Sequence, residues 1–344
     1  MEIASSIPLQ AGPADVEVQQ VRARVAWLYF MGGLTQQEIA GRLGLTRLRV
    51  NKILRQVRSD GSVVVDIRLP LAGCADLEQR LKARFGLEDV SVVPSLDDMA
   101  EQQRVVGDAG CRLLDKLLVN GISLGVGWGE TLAAGLRSLT QRPLSDSWVT
   151  SIMGGLTRGS GSGTFEVATG YARAISAECY YLAAPLYLPS AEIREALLLH
   201  HGIRETMHRA RSVDVALLSC GDMTNRSLLV RTQTVSESLE GLKAAGAVGD
   251  VLGVFLGPDG SPVDHPLNER VVALTPDELR SVPHSILASG GMHKVAVIAA
   301  ILNAGYVKLL ATDEMCAAAI LEQSDPGHGT GREPGDAATG AQDQ

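Results

Sequence analysis

From Leu34 to Thr46 the chain reads LTQQEIAGRLGLT, which is typical of a short helix, a tight turn and the start of a second helix. Thr35 can cap the first helix, and Glu38, three residues later, completes a capping box. Gly44 supplies the turn, and Thr46 can cap the second helix. The stretch therefore predicts a helix-turn-helix.

The second helix of this motif combines an apolar stripe with a polar, mostly positive face. Apolar residues recur with the i, i+3, i+4, i+7 spacing of one buried helix face, at Val50, Ile53, Leu54 and Val57. The opposite side, which we call the basic face, carries Arg47, Arg49, Asn51, Lys52, Arg55 and Arg58.

The charge distribution indicates what the basic face contacts. Residues 21–58 contain eight Lys or Arg and one acid, a net charge of +7, although the whole chain carries −8. A basic segment on an acidic chain is typical of a DNA-binding head, and the alternative is an ordinary helical hairpin with a solvated face. The residues that we predict to contact operator DNA are Thr35, Gln36, Gln37, Thr46, Arg47, Arg49, Asn51 and Lys52.

The bulk composition predicts an intracellular α/β protein. A chain of 344 residues suggests two domains, and 45% hydrophobic residues with only 4% aromatics and 37 glycines fits an α/β fold. The five cysteines show no pair spacing of a zinc or redox site, so we expect reduced thiols, no metal and no cofactor. Because the chain has no signal peptide and no apolar run of about 18 residues, we expect a soluble cytoplasmic protein without membrane contact.

Changes in pattern along the chain predict four segments. Residues 1–17 are expected to be a flexible arm, 18–70 the helix-turn-helix domain, 71–322 a larger domain and 323–344 a disordered tail. In the head, a first helix is predicted over Val18–Met31 and the strand of a wing over Val63–Ile67. Pro70–Cys74 is expected to be a linker before a helix from Ala75.

The larger domain alternates apolar strands, Gly-rich turns and helices, with one long helix over Met99–Val119. This alternation predicts a parallel sheet covered by helices on both faces, a Rossmann-like α/β domain. The expected strands are Asp89–Val93, Ile122–Val126, Trp148–Met153, Val213–Ser219, Val251–Leu256, His284–Ser289 and Val307–Ala311. Cys220–Asp222 and Thr312–Glu314 are expected to be turns.

Two of the turns are suited to anions. Gly127–Thr131 and Gly290–Lys294 would let backbone N–H groups approach a ligand at the start of a helix, and Lys294 adds a cation. The glycines could instead serve only to make tight turns. Asp250, at the end of the turn Gly246–Asp250, could bind sugar hydroxyls or simply cap that turn.

Taken together, the motifs resemble those of the SorC family of bacterial sugar-responsive transcriptional regulators. The resemblance covers roughly residues 20–322. It rests on an ordered series: Leu34–Ala40, Gly127–Leu132, Met153–Leu156, Ala184-Pro185, Gly246–Asp250, Pro266–Arg270, Gly290-Gly291 with Lys294, and Thr312–Glu314.

The resemblance implies an effector domain like a phosphosugar isomerase, a phosphorylated sugar as effector, and a homo-oligomer, a dimer or usually a tetramer. It also implies that Gly127–Thr131 holds phosphate, while Asp250 and Lys294 face the sugar. The implied effector-binding residues are Gly127, Trp128, Gly129, Thr131, Gly154, Gly155, Asp250, Glu269, Gly290, Gly291 and Lys294.

The chain departs from the family pattern at two places. A Gly- and Ser-rich stretch, Arg158–Gly163, precedes Glu166, and Glu130 places a negative charge inside the expected phosphate loop. An unphosphorylated sugar or polyol is therefore an alternative effector. We predict a DNA-binding regulator, a repressor, of a carbohydrate or polyol catabolic operon without catalytic residues. The alternative is an isomerase-like enzyme with an appended head, whose general base would be Asp250 or Glu269.

Overall fold

The computed structural model describes residues 13–60, 62–63, 71–156 and 163–323. The chain divides into two compact units, Met1–Leu69 and Pro70–Gln344. We refer to them as the head and the effector unit. Of the helices within the described ranges, none is long and apolar enough to cross a membrane.

The head consists of α1 (Pro13–Phe30), α2 (Gln36–Leu43) and α3 (Arg47–Ser59). The predicted capping box is confirmed, because the Glu38 amide donates to Thr35 Oγ1 at 3.3 Å and the Thr35 amide donates to Glu38 Oε2 at 2.8 Å. Gly44 adopts φ 62° at the end of α2, as the turn requires. The predicted stripe of α3 is confirmed as core, together with Val25, Ala26, Ile39 and Ala40.

Two predicted boundaries, one in the head and one at the start of the effector unit, are wrong. Helix α1 begins at Pro13, so residues 13–17 are helix and not a flexible arm. Proline is favoured at the first helical position, because that position needs no amide donor. Helix α4 begins at Ala72, inside the predicted linker. Residues 1–12, the wing beyond Val63 and the start of the linker lie outside the described residues, and Ser62 and Val63 form a bend.

The effector unit is built on a seven-stranded parallel sheet, which confirms the predicted fold class. Its strands run in the spatial order β1-β10-β9-β5-β2-β3-β4, and every neighbouring pair is parallel. The strands are β1 (Asp89–Val93), β2 (Ser123–Val126), β3 (Trp148–Ser151), β4 (Glu178–Tyr180), β5 (Val215–Leu218), β9 (His284–Ala288) and β10 (Leu309–Asp313).

Helices of very different lengths join these strands. The longest follows β1, and the shortest has a single turn. They are α4 (Ala72–Phe85), α5 (Met99–Asp115), α6 (Glu130–Gly135), α7 (Thr164–Ala174), α8 (Ala191–Leu198), α9 (His201–Arg211), α10 (Gln233–Ala244), α11 (Pro266–Glu269), α12 (Pro276–Arg280), α13 (Val295–Asn303) and α14 (Glu314–Gln323), with 3-10 turns at Leu136–Ser138 and Met292–Lys294.

A second, antiparallel sheet corrects the predicted strand Val251–Leu256. It contains β6 (Cys220–Asp222), β7 (Gly249–Val251) and β8 (Val254–Leu256). Leu252 and Gly253 both have positive φ, 51° and 82°, and reverse the chain between β7 and β8. Cys220–Asp222, predicted as a turn, pairs with β7 instead. Asp250 therefore lies within a strand.

The strand order decides which loops meet. Strands β9, β5 and β2 are neighbours at the centre of the parallel sheet, so the segments that follow them emerge side by side at one edge. Clefts of open parallel sheets lie at this carboxyl edge. Helix α5 approaches the same edge closely: a Cβ on Gly107 would lie 2.3 Å from the Thr131 carbonyl oxygen, and one on Gly135 would lie 2.4 Å from the Gly107 carbonyl oxygen. These two glycines allow α5 and α6 to touch backbone to backbone.

Candidate functional site

The basic face lies on the exposed side of α3. Thr46 caps the helix by accepting a hydrogen bond from the Arg49 amide at 3.2 Å. Arg47, Arg49 and Lys52 are exposed on its first turns, and Asn51 is partly exposed. Helix N-terminal turns of this motif enter the DNA major groove, so these side chains are placed to reach base edges and phosphates.

The predicted contacts on α2 are placed differently. The Thr35 hydroxyl donates to Glu38 Oε2 at 2.8 Å and accepts from the Glu38 amide, so its one O–H donor is used by the cap. The Thr35 amide and the Thr35 hydroxyl both donate to the Glu38 carboxylate and lower the pKa of Glu38, with a smaller contribution from Arg42. Gln36 is partly exposed and Gln37 is exposed on the first turn of α2.

A cleft opens in the effector unit where the segments after β2, β5 and β9 meet. It spans about 640 Å³, part of which is open to solvent. The residues that line it are Met99, Gln103, Trp128, Gly129, Glu130, Thr131, Met153, Ser219, Cys220, Gly221, Arg226, Ser227, Leu228, Leu229, Asp250, Leu252, His293 and Lys294. A second hollow shares His293 and Lys294 with the cleft and continues to Gly290, Gly291 and Gln102.

Asp250 forms the acidic floor of the cleft. Its side chain is 5% exposed, and its Oδ2 accepts a hydrogen bond from the Gly253 amide at 3.0 Å. Its Oδ1 is buried without a hydrogen-bond partner among the described residues. Burial raises the pKa of Asp250 to about 6, against the opposing effects of the Gly253 hydrogen bond and the Lys294 charge. A buried acceptor without a partner is costly, so this oxygen is suited to a hydroxyl donor from a ligand.

A second carboxylate, Asp222, lies beside Asp250. Gly221 on β6 pairs with Asp250 on β7, and a Cβ on Gly221 would lie 2.2 Å from Asp250 Oδ1. Asp222 is 1% exposed and accepts from Thr224 Oγ1 at 2.5 Å, and its Oδ1 also lacks a partner among the described residues. Any side chain at Gly221 would therefore collide with Asp250 Oδ1.

Positive groups form the opposite wall. Lys294 lies in the 3-10 turn before α13, and its Nζ donates to Ser289 Oγ at 3.3 Å. His293 precedes it, and burial together with the charge of Lys294 lowers the pKa of that imidazole. Arg226 is exposed and borders both the cleft and the second hollow. The wall therefore presents cationic groups to whatever occupies the cleft.

Only part of the loop Gly127–Thr131 lines the cleft. Gly129, with φ 133°, and the buried Thr131 line the cleft, whereas Gly127 donates its amide to Leu217 in the neighbouring strand at 2.9 Å. Trp128 covers one side and donates Nε1–H to the Gly154 carbonyl at 3.0 Å. Glu130, the departure from the family pattern, lies 3.8 Å from Arg231, so its charge is partly neutralised.

Three of the glycines predicted to bind the effector contact other parts of the protein instead. A Cβ on Gly154 would lie 2.8 Å from the Ala184 carbonyl oxygen, and Gly155 pairs with Pro185 in an isolated bridge. Gly291 donates its amide to Asp313 Oδ2 at 2.5 Å. The Gly291 amide is therefore already engaged by a protein carboxylate and not free for a ligand anion.

Asp313, at the end of β10, holds this edge of the site together. It is 2% exposed, and besides the Gly291 amide it accepts from Ser95 Oγ at 2.8 Å and from the Cys316 amide at 3.1 Å. The Ser95 hydroxyl in turn accepts from the Met315 amide at 2.9 Å. One buried carboxylate thus joins the loop after β1, the start of α14 and the turn that leads to Lys294.

The structure does not bring Glu269 to the cleft. It is exposed at the end of α11, and it is not among the described residues that line the cleft. Its neighbour Asn268 explains the motif through its side-chain amide. Asn268 Oδ1 accepts from the Phe255 amide at 2.8 Å, and Asn268 Nδ2 donates to the Phe255 carbonyl at 3.0 Å and to the Val263 carbonyl at 2.9 Å. Pro266–Arg270 therefore braces the hairpin that carries Asp250.

Sequence reasoning missed several cleft residues. Arg226, which follows β6, was hidden because β6 was taken for a turn, and His293 was passed over beside Lys294. Cys220 donates Sγ–H to Ser289 Oγ at 3.2 Å, and burial raises the pKa of its thiol to about 11. A Cys-Gly-Asp run directly after an apolar strand was the signal available for β6 and Asp222.

Comparison with known proteins identifies a sugar-binding domain and several transcriptional regulators as similar. Residues 70–322 match a family model described as a "sugar-binding domain". The chain is 34% identical over 317 residues to the transcriptional regulator LsrR of Klebsiella pneumoniae subsp. pneumoniae, covering 90% of this chain and 95% of that protein. It is 28% identical over 303 residues to the erythritol catabolism regulatory protein EryD of Brucella abortus, covering 87% and 96%. The crystal structure of the full-length sorbitol operon regulator SorC from Klebsiella pneumoniae aligns with a TM-score of 0.69 and 26% identity, over 89% of this chain and 99% of that chain.

Proposed function

Because this chain belongs to the SorC family of sugar-binding transcriptional regulators, we propose that the head binds operator DNA and that the cleft binds the small molecule controlling this binding. The observation that carries the proposal is the buried Asp250, which lines the cleft and whose Oδ1 lacks a hydrogen-bond partner among the described residues, on a chain whose head exposes a basic helix. A regulator of this kind acts where the DNA is, in the cytoplasm of a bacterium.

The chemistry of the cleft suits a sugar or polyol. Asp250, at the floor, has one acceptor oxygen without a hydrogen-bond partner among the described residues, and acceptors of this kind pair with hydroxyl groups. Lys294 and Arg226 on the opposite wall suit a phosphate on the same ligand. A phosphorylated sugar or polyol therefore fits both sides, and an unphosphorylated one fits the floor alone.

Coupling between cleft and head requires that the effector bind one arrangement of the protein better than another. We propose that this arrangement belongs to a homo-oligomer, a dimer or tetramer, because two heads on paired half-sites bind DNA far better than one. Analytical ultracentrifugation of the full chain with and without DNA measures the state directly.

No catalytic role is proposed. An isomerase needs a carboxylate poised as a general base over the sugar carbons. Glu269 lies away from the cleft, and Asp250 accepts a backbone hydrogen bond while buried at the floor. Turnover of sugar phosphates by the purified protein would overturn this part of the proposal.

The test begins with a thermal-shift screen of sugars, polyols and their phosphates, because a ligand that binds only the folded state raises Tm. Hits are then titrated into a complex of the full chain with its operator. Lys294→Ala should keep operator affinity but need about ten- to a hundredfold more effector, since a charge-assisted contact contributes about 1.5–3 kcal/mol. Lys243→Ala, an exposed lysine outside the cleft, is the matched control. If Lys294→Ala responds like the control, Lys294 does not bind the effector.

A further inference from the structure

Leu48 is an exposed leucine on the most positive surface of the head. Its side chain is 75% exposed, although the other large apolar residues of α3 lie in the core of the head. It is the second residue of α3, directly after Arg47. Two helical residues correspond to about 200° of rotation, so Leu48 points away from the buried Val50. Packing within the head therefore does not explain this residue.

The neighbours of Leu48 define the chemistry of its partner. Arg47 and Arg49 flank it in sequence, and Lys52 lies one turn further along the same side of α3. A second copy of this surface would bring like charges together, which disfavours contact between two such faces. The partner should be a polyanion that presents an apolar group between its charges.

We infer that Leu48 is a specificity-determining residue that contacts the 5-methyl group of a thymine in the major groove. The inference rests on the proposed function of the head. Thymine alone among the four bases carries a methyl group at the major-groove edge, and that groove admits the N-terminal turn of a recognition helix. Asn51, three residues on, shares the face and bears the amide that pairs with adenine. The first turns of α3 are thus equipped to read A·T pairs as well as phosphates.

The experiment uses a duplex selected from a random library by the full chain. Each thymine of that duplex is replaced in turn by deoxyuridine, which removes the methyl group and leaves base pairing intact. Wild type should lose about fourfold in affinity at one position per half-site, the change expected for one buried methyl group. Leu48→Ala should bind the thymine duplex more weakly and bind the thymine and deoxyuridine duplexes equally at that position.

Leu199→Ala is the matched control, because Leu199 is also 75% exposed but lies in the effector unit. It should retain the wild-type discrimination. The inference is overturned if wild type is indifferent to every thymine methyl, or if Leu48→Ala still discriminates. It is also overturned if Leu48→Ala changes only the oligomer mass in sedimentation, which would assign the residue to contact between copies. A wild-type protein that selects no duplex at all would instead refute DNA binding by the head.

Discussion

Replacing Asp250 by asparagine should stabilise the free effector unit while it weakens the effector response. In the folded protein burial raises the pKa of Asp250 to about 6 from its usual 3.8, so the folded state binds this proton more tightly than the unfolded state. The free energy of unfolding therefore falls as pH rises from about 4 to about 6, and it stays reduced above that range. A shift of two pKa units corresponds to about 3 kcal/mol.

Asparagine avoids this penalty because it is neutral at every pH. Its oxygen can still accept the Gly253 amide, but its Nδ2 needs a partner of its own, so the net gain at pH 8 should be about 1–3 kcal/mol. At pH 5 the gain should be about 1 kcal/mol smaller, because the folded wild type is already mostly protonated there. The effector response should weaken about ten- to a hundredfold, since a neutral amide replaces a charged acceptor.

Urea denaturation followed by tryptophan fluorescence measures the effect. Of the three tryptophans, Trp128 and Trp148 lie in the effector unit, and Trp27 lies in the head. A Trp27→Phe background therefore makes the signal report on the effector unit alone. Asp264→Asn, which removes an exposed carboxylate outside the cleft, controls for the change in net charge. The reasoning is refuted if Asp250→Asn is less stable than wild type at pH 8, or if its advantage does not shrink at pH 5.

Arg49 in the head and Gly107 and Trp128 in the effector unit can each be tested by a single substitution. Arg49→Ala should cost about 1–3 kcal/mol of operator binding if the guanidinium contacts a base, and a gel-shift competition against point-mutated operators should show relaxed sequence preference. Gly107→Ala should destabilise the effector unit by about 1–3 kcal/mol, because the new methyl group collides with the Thr131 carbonyl; thermal melts measure the loss. Trp128→Phe removes the donor to the Gly154 carbonyl and should cost about 1–3 kcal/mol in urea denaturation, whereas a change below about 0.5 kcal/mol would mean that water replaces this donor.

The parts of the fold that local chemistry determines could be predicted from the sequence. The capping box at Thr35 and the turn at Gly44 depend on residues within four positions of one another, and both were confirmed. The parallel sheet was predictable because buried strands and Gly-rich turns alternate in a regular order. The start of α1 was missed because Pro13 was treated as part of an arm and not as a first helical residue.

The site itself depends on backbone conformations and long-range contacts that the residue pattern does not reveal. The reversal at Leu252 and Gly253 moves Asp250 from a turn into a buried strand, and a run of apolar residues does not reveal it. Whether the Gly291 amide is free depends on Asp313, which lies 22 residues away. The role of Asp250 and Lys294 in effector binding stays a prediction.

The position of Asp313 has a consequence for genetics. A selection for mutants that no longer respond to the effector is expected to return substitutions at Lys294, which lines the cleft. It should also return substitutions at Asp313, whose carboxylate fixes three chain segments at once without lining the cleft. Sugar analogues that rescue a ligand-contact mutant should fail to rescue an Asp313 mutant, because no single altered ligand group can restore two lost backbone contacts and one lost contact to the Ser95 hydroxyl.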